Sequence, residues 1–227
     1  MPRLSKIGAA STASFGLEGF QSFVVTYMLV GGGGGSQTGD GFTTAGPQGG
    51  SGGTLATGTL TIRSRQTLSI VVGAGGVGGG EGQTGTPPTA GVATTFSSFT
   101  GAGGAALGGA GQNGPVNPIA GSTSGQLSGG IYYVGGFGAR GTDYNGNFGT
   151  GPGLGGGGAI DQPGTPNTGG GGGGPPAPFG TYFAGKNGGS GVAVLSYAGP
   201  QKMTGGIYTF VNGTSIHTFN SSGSITV

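Results

Sequence analysis

The chain has 227 residues, of which 65 are glycine and 13 are proline, and its formal net charge is +2. The glycines follow no strict three-residue period, which excludes collagen. Only 5% of the residues are charged and 32% are hydrophobic, whereas disordered chains are usually rich in charge and poor in hydrophobic residues. The small net charge argues against a nucleic-acid-binding protein, and the absence of cysteine excludes disulfides and thiolate metal sites.

Residues 1–20 have an ordinary composition, and we interpret them as a docking peptide that attaches the chain to another protein. The side chains expected to make that contact are Arg3, Leu4, Lys6 and Ile7. The alternative is a frayed terminus, which is common at the ends of chains. These residues lack the apolar core and cleavage site of a secretory signal in the usual order, so export by that route is not expected.

Residues 21–198 alternate β-branched and aromatic runs with glycine tracts, and this pattern predicts an all-β, sandwich-like, glycine-rich module. Helices are not expected, because no window of helical length is without glycine or proline. The longest apolar run, residues 23–30, is too short to span a bilayer, so membrane insertion is not expected either. The predicted strands are 22–30, 54–62, 66–73, 92–99, 131–134 and 191–198.

The glycine tracts between these strands have two possible structures. They could be irregular loops, or extended polyproline-II-like rods that pack side by side and satisfy each other's backbone N–H and C=O groups. Only glycine permits such close approach on all sides. The candidate rods are residues 103–111, 151–158 and 169–174.

Residues 199–227 contain less glycine and show a new alternation. Asn212-Gly213 separates two alternating runs, residues 207–211 and 214–219, and is a strong hairpin signal. A second turn at residues 220–223 leads to a last run at 224–227. The pattern predicts a three-stranded C-terminal meander.

Taken in order, three motifs resemble the glycine-rich domain of tailed-phage tail-fibre and other virion proteins. They are the run that ends in Gly31–Gly35, the sequence Val72-Gly73-Ala74-Gly75-Gly76, and the closing run from Gly189 to Tyr197. The resemblance covers about residues 21–198. The N-terminal sequence from Pro2 to Ala10 also looks like the start of virion proteins from phages of marine cyanobacteria.

The last twelve residues, 216–227, resemble a family element that usually precedes the first glycine-rich strand. Here they follow the last one, so we expect them either to fold back beside residues 22–30 or to pair with a neighbouring subunit, since an unpaired strand edge is a template for pairing. The expected assembly is a homo-oligomer, and the resemblance implies a trimer.

Aromatic side chains provide the candidate recognition site. Rigid aromatic rings offer a large contact area with few rotatable bonds to immobilise, which suits binding of a host glycan or protein. The candidate residues are Tyr132, Tyr133, Phe137, Arg140, Tyr144 and Phe148, and a second aromatic group is Phe179, Tyr182 and Phe183. The alternative is that these rings are core contacts between glycine layers.

Catalytic, metal and cofactor sites are not expected. His217 is the only histidine, and a lone ligand or base does not build a site. The sequence from Asp143 to Asn147 begins like a calcium loop, but Phe148 stands where that loop needs glycine and Leu154 where it needs an acidic residue. We therefore interpret it as a polar surface turn.

These observations and the resemblance lead to one functional expectation. The chain is expected to be a non-enzymatic virion protein, either a tail fibre or an adhesin-like component, that docks through its N-terminus onto a tail or baseplate protein and contacts the host surface. The alternative is a capsid-surface fibre or decoration protein that binds no receptor. A secreted adhesive or cell-wall protein is a third class, which the missing secretory signal disfavours.

Overall fold

The computed structural model describes residues 22–42, 45–82, 85–108, 111–147 and 149–227, and within these ranges it contains strands and no helix. The predicted docking residues Arg3, Leu4, Lys6 and Ile7 lie outside the described residues, as does Phe148. The strands are β1 (Ser22–Val30), β2 (Leu55–Arg63), β3 (Thr67–Val71), β4 (Thr94–Phe96), β5 (Phe99–Gly101), β6 (Gln126–Ser128), β7 (Ile131–Tyr133), β8 (Val192–Ala198), β9 (Ile207–Val211), β10 (Thr214–Phe219) and β11 (Gly223–Thr226).

The strands form antiparallel sheets. A five-stranded sheet has the order β2-β1-β8-β10-β9, a four-stranded sheet has the order β11-β3-β4-β5, and β6 pairs with β7 alone. The all-β prediction is therefore confirmed. The β-branched and aromatic residues of these runs favour the extended backbone, and glycine interrupts every stretch that could have formed a helix.

The five-stranded sheet is buried on both faces around β1 and β8. Alternate residues of β1 belong to two separate apolar clusters, because successive side chains of a strand point to opposite faces. The larger cluster contains Tyr27 and Leu29 of β1, and in it they join Phe96 of the four-stranded sheet. The smaller contains Met28 and Val30 on the opposite face. The two sheets thus form the predicted sandwich.

The predicted strands differ from the observed ones in two places. The run at 92–99 is not one strand but the hairpin β4–β5, in which Phe96 pairs with Phe99 and Ser97 has a φ of 55°. Strand β6 was not predicted, since Gln126–Ser128 lacks β-branched residues. Its partner β7 was predicted, and the Gly129–Gly130 turn that joins them has positive φ at both residues, as a tight hairpin requires.

The C-terminal hairpin is confirmed, but the predicted meander is wrong in its third strand. Asn212 and Gly213, with φ of 49° and 79°, form the turn between β9 and β10. Strand β10 is already paired on both sides, by β8 and β9, so β11 has no free edge there. It pairs instead with β3 in the four-stranded sheet.

The position expected for the C-terminal element beside residues 22–30 is also wrong. β1 is paired with β2 along its whole length and with β8 over residues 26–30, so both edges of that stretch are occupied. The element joins the sheet one strand further out, where β10 pairs with β8 of the same chain. Pairing within the chain thus accounts for both β10 and β11 without a neighbouring subunit.

The glycine tracts form a lattice of extended segments, and residues 31–37, called the central segment, lie in its middle. The central segment continues directly from β1, and Gly31–Gly35 are buried. Its N–H groups donate to three neighbouring segments in turn: those of residues 31, 34 and 37 to 48–54, those of 32 and 35 to 89–92, and those of 33 and 36 to 186–189. Every third residue returns to the same neighbour, as expected for a polyproline-II-like helix with about three residues per turn.

Three more segments pack against the central segment and leave no space for side chains. They are residues 74–79, 102–105 and 169–172, and Gly76, Gly104 and Gly172 donate to its carbonyl oxygens. A Cβ atom added at Gly31 or Gly34 would overlap the backbone of residues 102–105, and one added at Gly32 or Gly35 would overlap that of 74–77. The rod-packing interpretation of the glycine tracts is therefore confirmed.

The same packing extends outwards from the central segment. Residues 185, 188 and 191 donate to residues 79, 76 and 73, again at every third position. The backbone N–H groups of residues 135–141 donate, in chain order, to the carbonyl oxygens of residues 168, 155, 112, 50, 158, 150 and 47. The predicted rods 103–111 (as far as they are described), 151–158 and 169–174 all take part in this network.

Candidate functional site

An exposed aromatic cluster lies at the end of the lattice away from the sheets. The chain leaves the central segment at Gln37, forms a bridge between Gly39 and Phe183, and then presents Phe42. The Phe42 ring contacts those of Phe179 and Tyr182, with centroid distances of 5.8 and 6.1 Å. Phe42 and Phe179 are 58% and 74% exposed. We call these three residues the distal aromatic cluster.

Local geometry explains why these rings are held in the open. Gly41 has a φ of 64°, and the Phe42 N–H donates to the Asp40 carboxylate at 3.1 Å, so the chain turns sharply before Phe42. A second turn follows Phe179, where the Thr181 N–H donates to the Pro178 carbonyl at 3.1 Å. Both turns project from hydrogen-bonded lattice segments, so their position is set by a rigid base.

A cleft of about 460 Å³ borders the distal aromatic cluster. Phe42 and Tyr182 line one part of it, and Pro87 and Pro88 line another. Polar groups of Gln37, Thr38, Asp40 and Thr86 complete its wall. Aromatic faces beside hydroxyl, amide and carboxylate groups can bind a ligand that is partly apolar and partly polar.

The structure places the predicted recognition residues in separate parts of the molecule, although Arg140 lines a small pocket with Asp143 and Asn147 of the turn that contains Tyr144. Tyr132 and Tyr133 lie on β7, and Tyr144 lies in a turn beyond residues 135–141, which run through the lattice. At roughly 3 Å per residue, that extended segment separates them by about 20 Å. Phe137 lines a shallow groove with Leu55 and Pro115.

Arg140 is bonded to the lattice and is partly exposed at the pocket beside the Asp143 turn. Its Nε donates to the Gly46 carbonyl oxygen at 3.0 Å. The predicted turn that begins at Asp143 is confirmed as a hydrogen-bonded polar turn: the carboxylate accepts from the Asn145 N–H and from the N–H and side-chain amide of Asn147. These bonds, the Asn147 side-chain bond foremost, lower the pKa of Asp143.

His217 is buried in the five-stranded sheet. Its Nδ1 donates to the Gly205 carbonyl at 2.7 Å, and its Nε2 lies 3.2 Å from the Tyr197 hydroxyl, which itself accepts the Lys202 N–H at 2.7 Å. Burial lowers the pKa of His217, and the bond to Gly205 partly opposes this shift. A neutral imidazole fits both contacts, and its role here is to satisfy buried polar groups.

The described residues hold neither a cluster of metal-binding side chains nor a membrane-spanning helix. No group of three or more His, Asp or Glu side chains in those residues is placed to hold a metal ion. The described residues also contain no helix that is long and apolar enough to cross a membrane.

Sequence reasoning missed Phe42, the centre of the distal aromatic cluster. It stands alone between Gly41 and Thr43, far along the chain from Phe179 and Tyr182. The bridge between Gly39 and Phe183 and the close approach of Gly41 to Pro178 bring the two segments together. A signal was nevertheless present. Each of these aromatic residues follows a glycine tract by a few residues, which is where a lattice segment would end.

The fold is that of a polyglycine lattice continued from a β-sandwich. The family model described as the glycine-rich domain matches residues 21–198, and the chain belongs to that family. No curated protein and no solved structure matches the chain.

Proposed function

We propose that this chain is a non-enzymatic structural protein of a tailed-phage virion, a tail-fibre or adhesin-like component that contacts the host surface. The observation that carries the proposal is the distal aromatic cluster, in which two phenylalanines are more than half exposed. Large apolar groups held exposed on a rigid base are a feature of binding surfaces.

The placement of the cluster supports the proposal. Strand β1 runs from Ser22 towards the lattice, so the polypeptide before Ser22 joins the molecule at the end away from the cluster. A component that docks through its N-terminal residues would then present the cluster outwards. The partners in this proposal are other virion proteins, further copies of the chain, and a host glycan or protein.

The lattice suits a protein exposed outside a cell. Its backbone groups are paired with one another, and it offers few charged side chains whose interactions would change with salt or pH. A tightly packed main chain also opens rarely, and proteases need an open segment to cut.

Antibody labelling of intact virions tests the location. Gold particles on the tail or baseplate are the expected result. Label spread over the capsid shell would instead support a decoration protein, and the absence of label from purified virions would overturn a virion role altogether.

Cell binding tests the surface. Purified chain with Phe42→Ala and Phe179→Ala should lose most of its binding to host cells. The matched control is Leu127→Ala on β6, which removes a side chain that is 56% exposed at another surface. Equal binding by all forms would contradict the assignment of the distal aromatic cluster to host contact.

A further inference from the structure

Strand β9 is an unpaired sheet edge, and Gly121 packs against Val211 at its end. It lies at the end of the five-stranded sheet, with β10 on one side and no strand among the described residues on the other. Ile207, Tyr208 and Phe210 are 58%, 37% and 53% exposed. Natural edge strands are normally blunted by lysine, proline, a bulge or a covering loop. The sequence Ile-Tyr-Thr-Phe-Val of β9 contains neither charge nor proline.

The hairpin geometry shows which backbone groups face outwards. With a turn of two residues, the pair that flanks it, Val211 and Thr214, exchanges backbone hydrogen bonds, and the pattern then alternates along the strands. Thr209 and Ile207 therefore also bond to β10. The N–H and C=O groups of Tyr208 and Phe210 point away from the sheet, towards the open side.

These outward groups are self-complementary about Thr209. If a second β9 lies antiparallel with Thr209 opposite Thr209, Tyr208 of each strand faces Phe210 of the other, and both pairs can exchange backbone hydrogen bonds. The side chains match in the same register. Aromatic meets aromatic on one face, Ile207 meets Val211 on the other, and the threonines meet at the centre, which are favourable cross-strand pairs.

We infer that β9 is a self-association edge, at which two copies of this chain pair around a two-fold axis through Thr209. The occupant is a second copy because the strand complements itself in hydrogen bonding, side-chain type and charge, so that no like charges meet. This pairing gives two copies rather than the three that the family resemblance implies. The inference does not depend on the proposed virion function.

Charge exchange at the two-fold axis tests the pairing directly. Thr209 is exposed in the single chain, so Thr209→Lys and Thr209→Glu should each fold and should each sediment as a monomer, because two like charges would face each other. The unaltered chain should have twice the monomer mass. An equimolar mixture of the two variants should recover that doubled mass, because lysine then faces glutamate.

The control is Thr59→Lys on β2, an exposed threonine at the opposite edge of the same sheet. It should leave the doubled mass unchanged. Circular dichroism and thermal unfolding of each variant verify the fold. Three results would each overturn the inference. The unaltered chain could be a monomer or a trimer, the doubled mass could persist in Thr209→Lys, or the mixture of the two variants could stay monomeric.

Discussion

The five-stranded sheet and the glycine lattice join without a break between Val30 and Gly31, yet different forces hold them together. In the sheet, side chains fill the space between layers, as Leu29, Leu195 and Phe96 do in the larger apolar cluster. In the lattice, the backbone itself fills the space, and the stabilising contacts are main-chain hydrogen bonds between neighbouring segments. One chain thus combines a core made of side chains with one that excludes them.

A glycine-rich composition therefore need not mean disorder. Each ordered glycine loses more conformational freedom than any other residue. In the lattice this cost is offset by packing at backbone contact distance and by nearly complete pairing of buried N–H and C=O groups. The two regions should therefore respond to mutation in opposite ways. Removing side-chain atoms should destabilise the sheet, and adding them should destabilise the lattice.

The largest expected effect is from a single added methyl group in the central segment. Gly34→Ala places a Cβ into the backbone of residues 105 and 106, which cannot rotate away as a side chain could. We expect a loss of more than about 3 kcal/mol in the free energy of unfolding, at or beyond the upper end for overpacking. Chemical denaturation monitored by circular dichroism measures it.

Gly151→Ala is the matched control, because no heavy atom lies within 4 Å of the added Cβ and its φ is not in the left-handed region. It should change stability by less than about 0.5 kcal/mol. Similar effects at Gly34 and Gly151 would show that close approach does not explain the glycine content.

The sheet should respond to the opposite change. Phe96→Ala removes a fully buried ring that contacts Tyr27, and the expected loss is about 3–5 kcal/mol from lost burial and the cavity left behind. Val24→Ala is the control, since Val24 is 57% exposed. If the two substitutions had equal effects on the denaturation midpoint, the side-chain account of the sheet would be wrong.

A smaller effect is expected from acid, and it should come from the sheet. Because burial lowers the pKa of His217 from 6.5, the unfolded chain binds a proton more readily than the folded chain. The contribution of His217 to the free energy of unfolding is therefore fully present above about pH 6.5. It falls as the pH decreases towards the pKa of His217 in the folded chain, by at most about 1.4 kcal/mol per pH unit.

Thermal unfolding between about pH 7 and 5.5, where carboxyl groups of ordinary pKa are almost fully ionised, checks this dependence. His217→Gln is the comparison, because an amide can replace the bonds to Gly205 and Tyr197 but does not titrate. The decrease in stability between these pH values should vanish in this variant. A slope of the same size would assign the pH dependence to another group.

The smallest effect is expected at the ion pair between Lys186 and Asp161. Their charged atoms are 3.1 Å apart, and both side chains are partly exposed, so Lys186→Met should cost less than about 1 kcal/mol. The Lys186 backbone carbonyl accepts from Ser36 whatever its side chain is. Denaturation in low and high salt should therefore differ little, and a strong salt dependence would contradict a lattice held by main-chain bonds.

Much of the fold could be predicted because it depends on local sequence. The run from Ser22 to Val30 is strongly β-branched and aromatic, and its predicted bounds match β1. Asn212-Gly213 defined its hairpin because a two-residue turn needs positive φ at both positions. Strand order could not be predicted in this way: whether β11 joins β10 or β3 depends on which edges remain free after the other strands pair.

The candidate site was harder to predict for a related reason. Tyr132 and Tyr144 are close in sequence, and closeness in sequence suggested one surface. The extended segment between them instead moves them apart, since each of its residues adds about 3 Å of length. Phe42 and Phe179 are distant in sequence and in contact in space, because the lattice segments that precede them, 31–37 and 169–174, run side by side in the same direction and end together.

Hydrogen exchange of individual amides can show whether the glycine lattice is a second core, because it reports on the main chain itself. The amides of residues 32–36 each donate to a neighbouring segment, so they should exchange only through global unfolding, as slowly as buried amides of β8. Exchange of these glycine amides at the rate of exposed turns, with β8 still protected, would contradict the lattice as the second core of this protein.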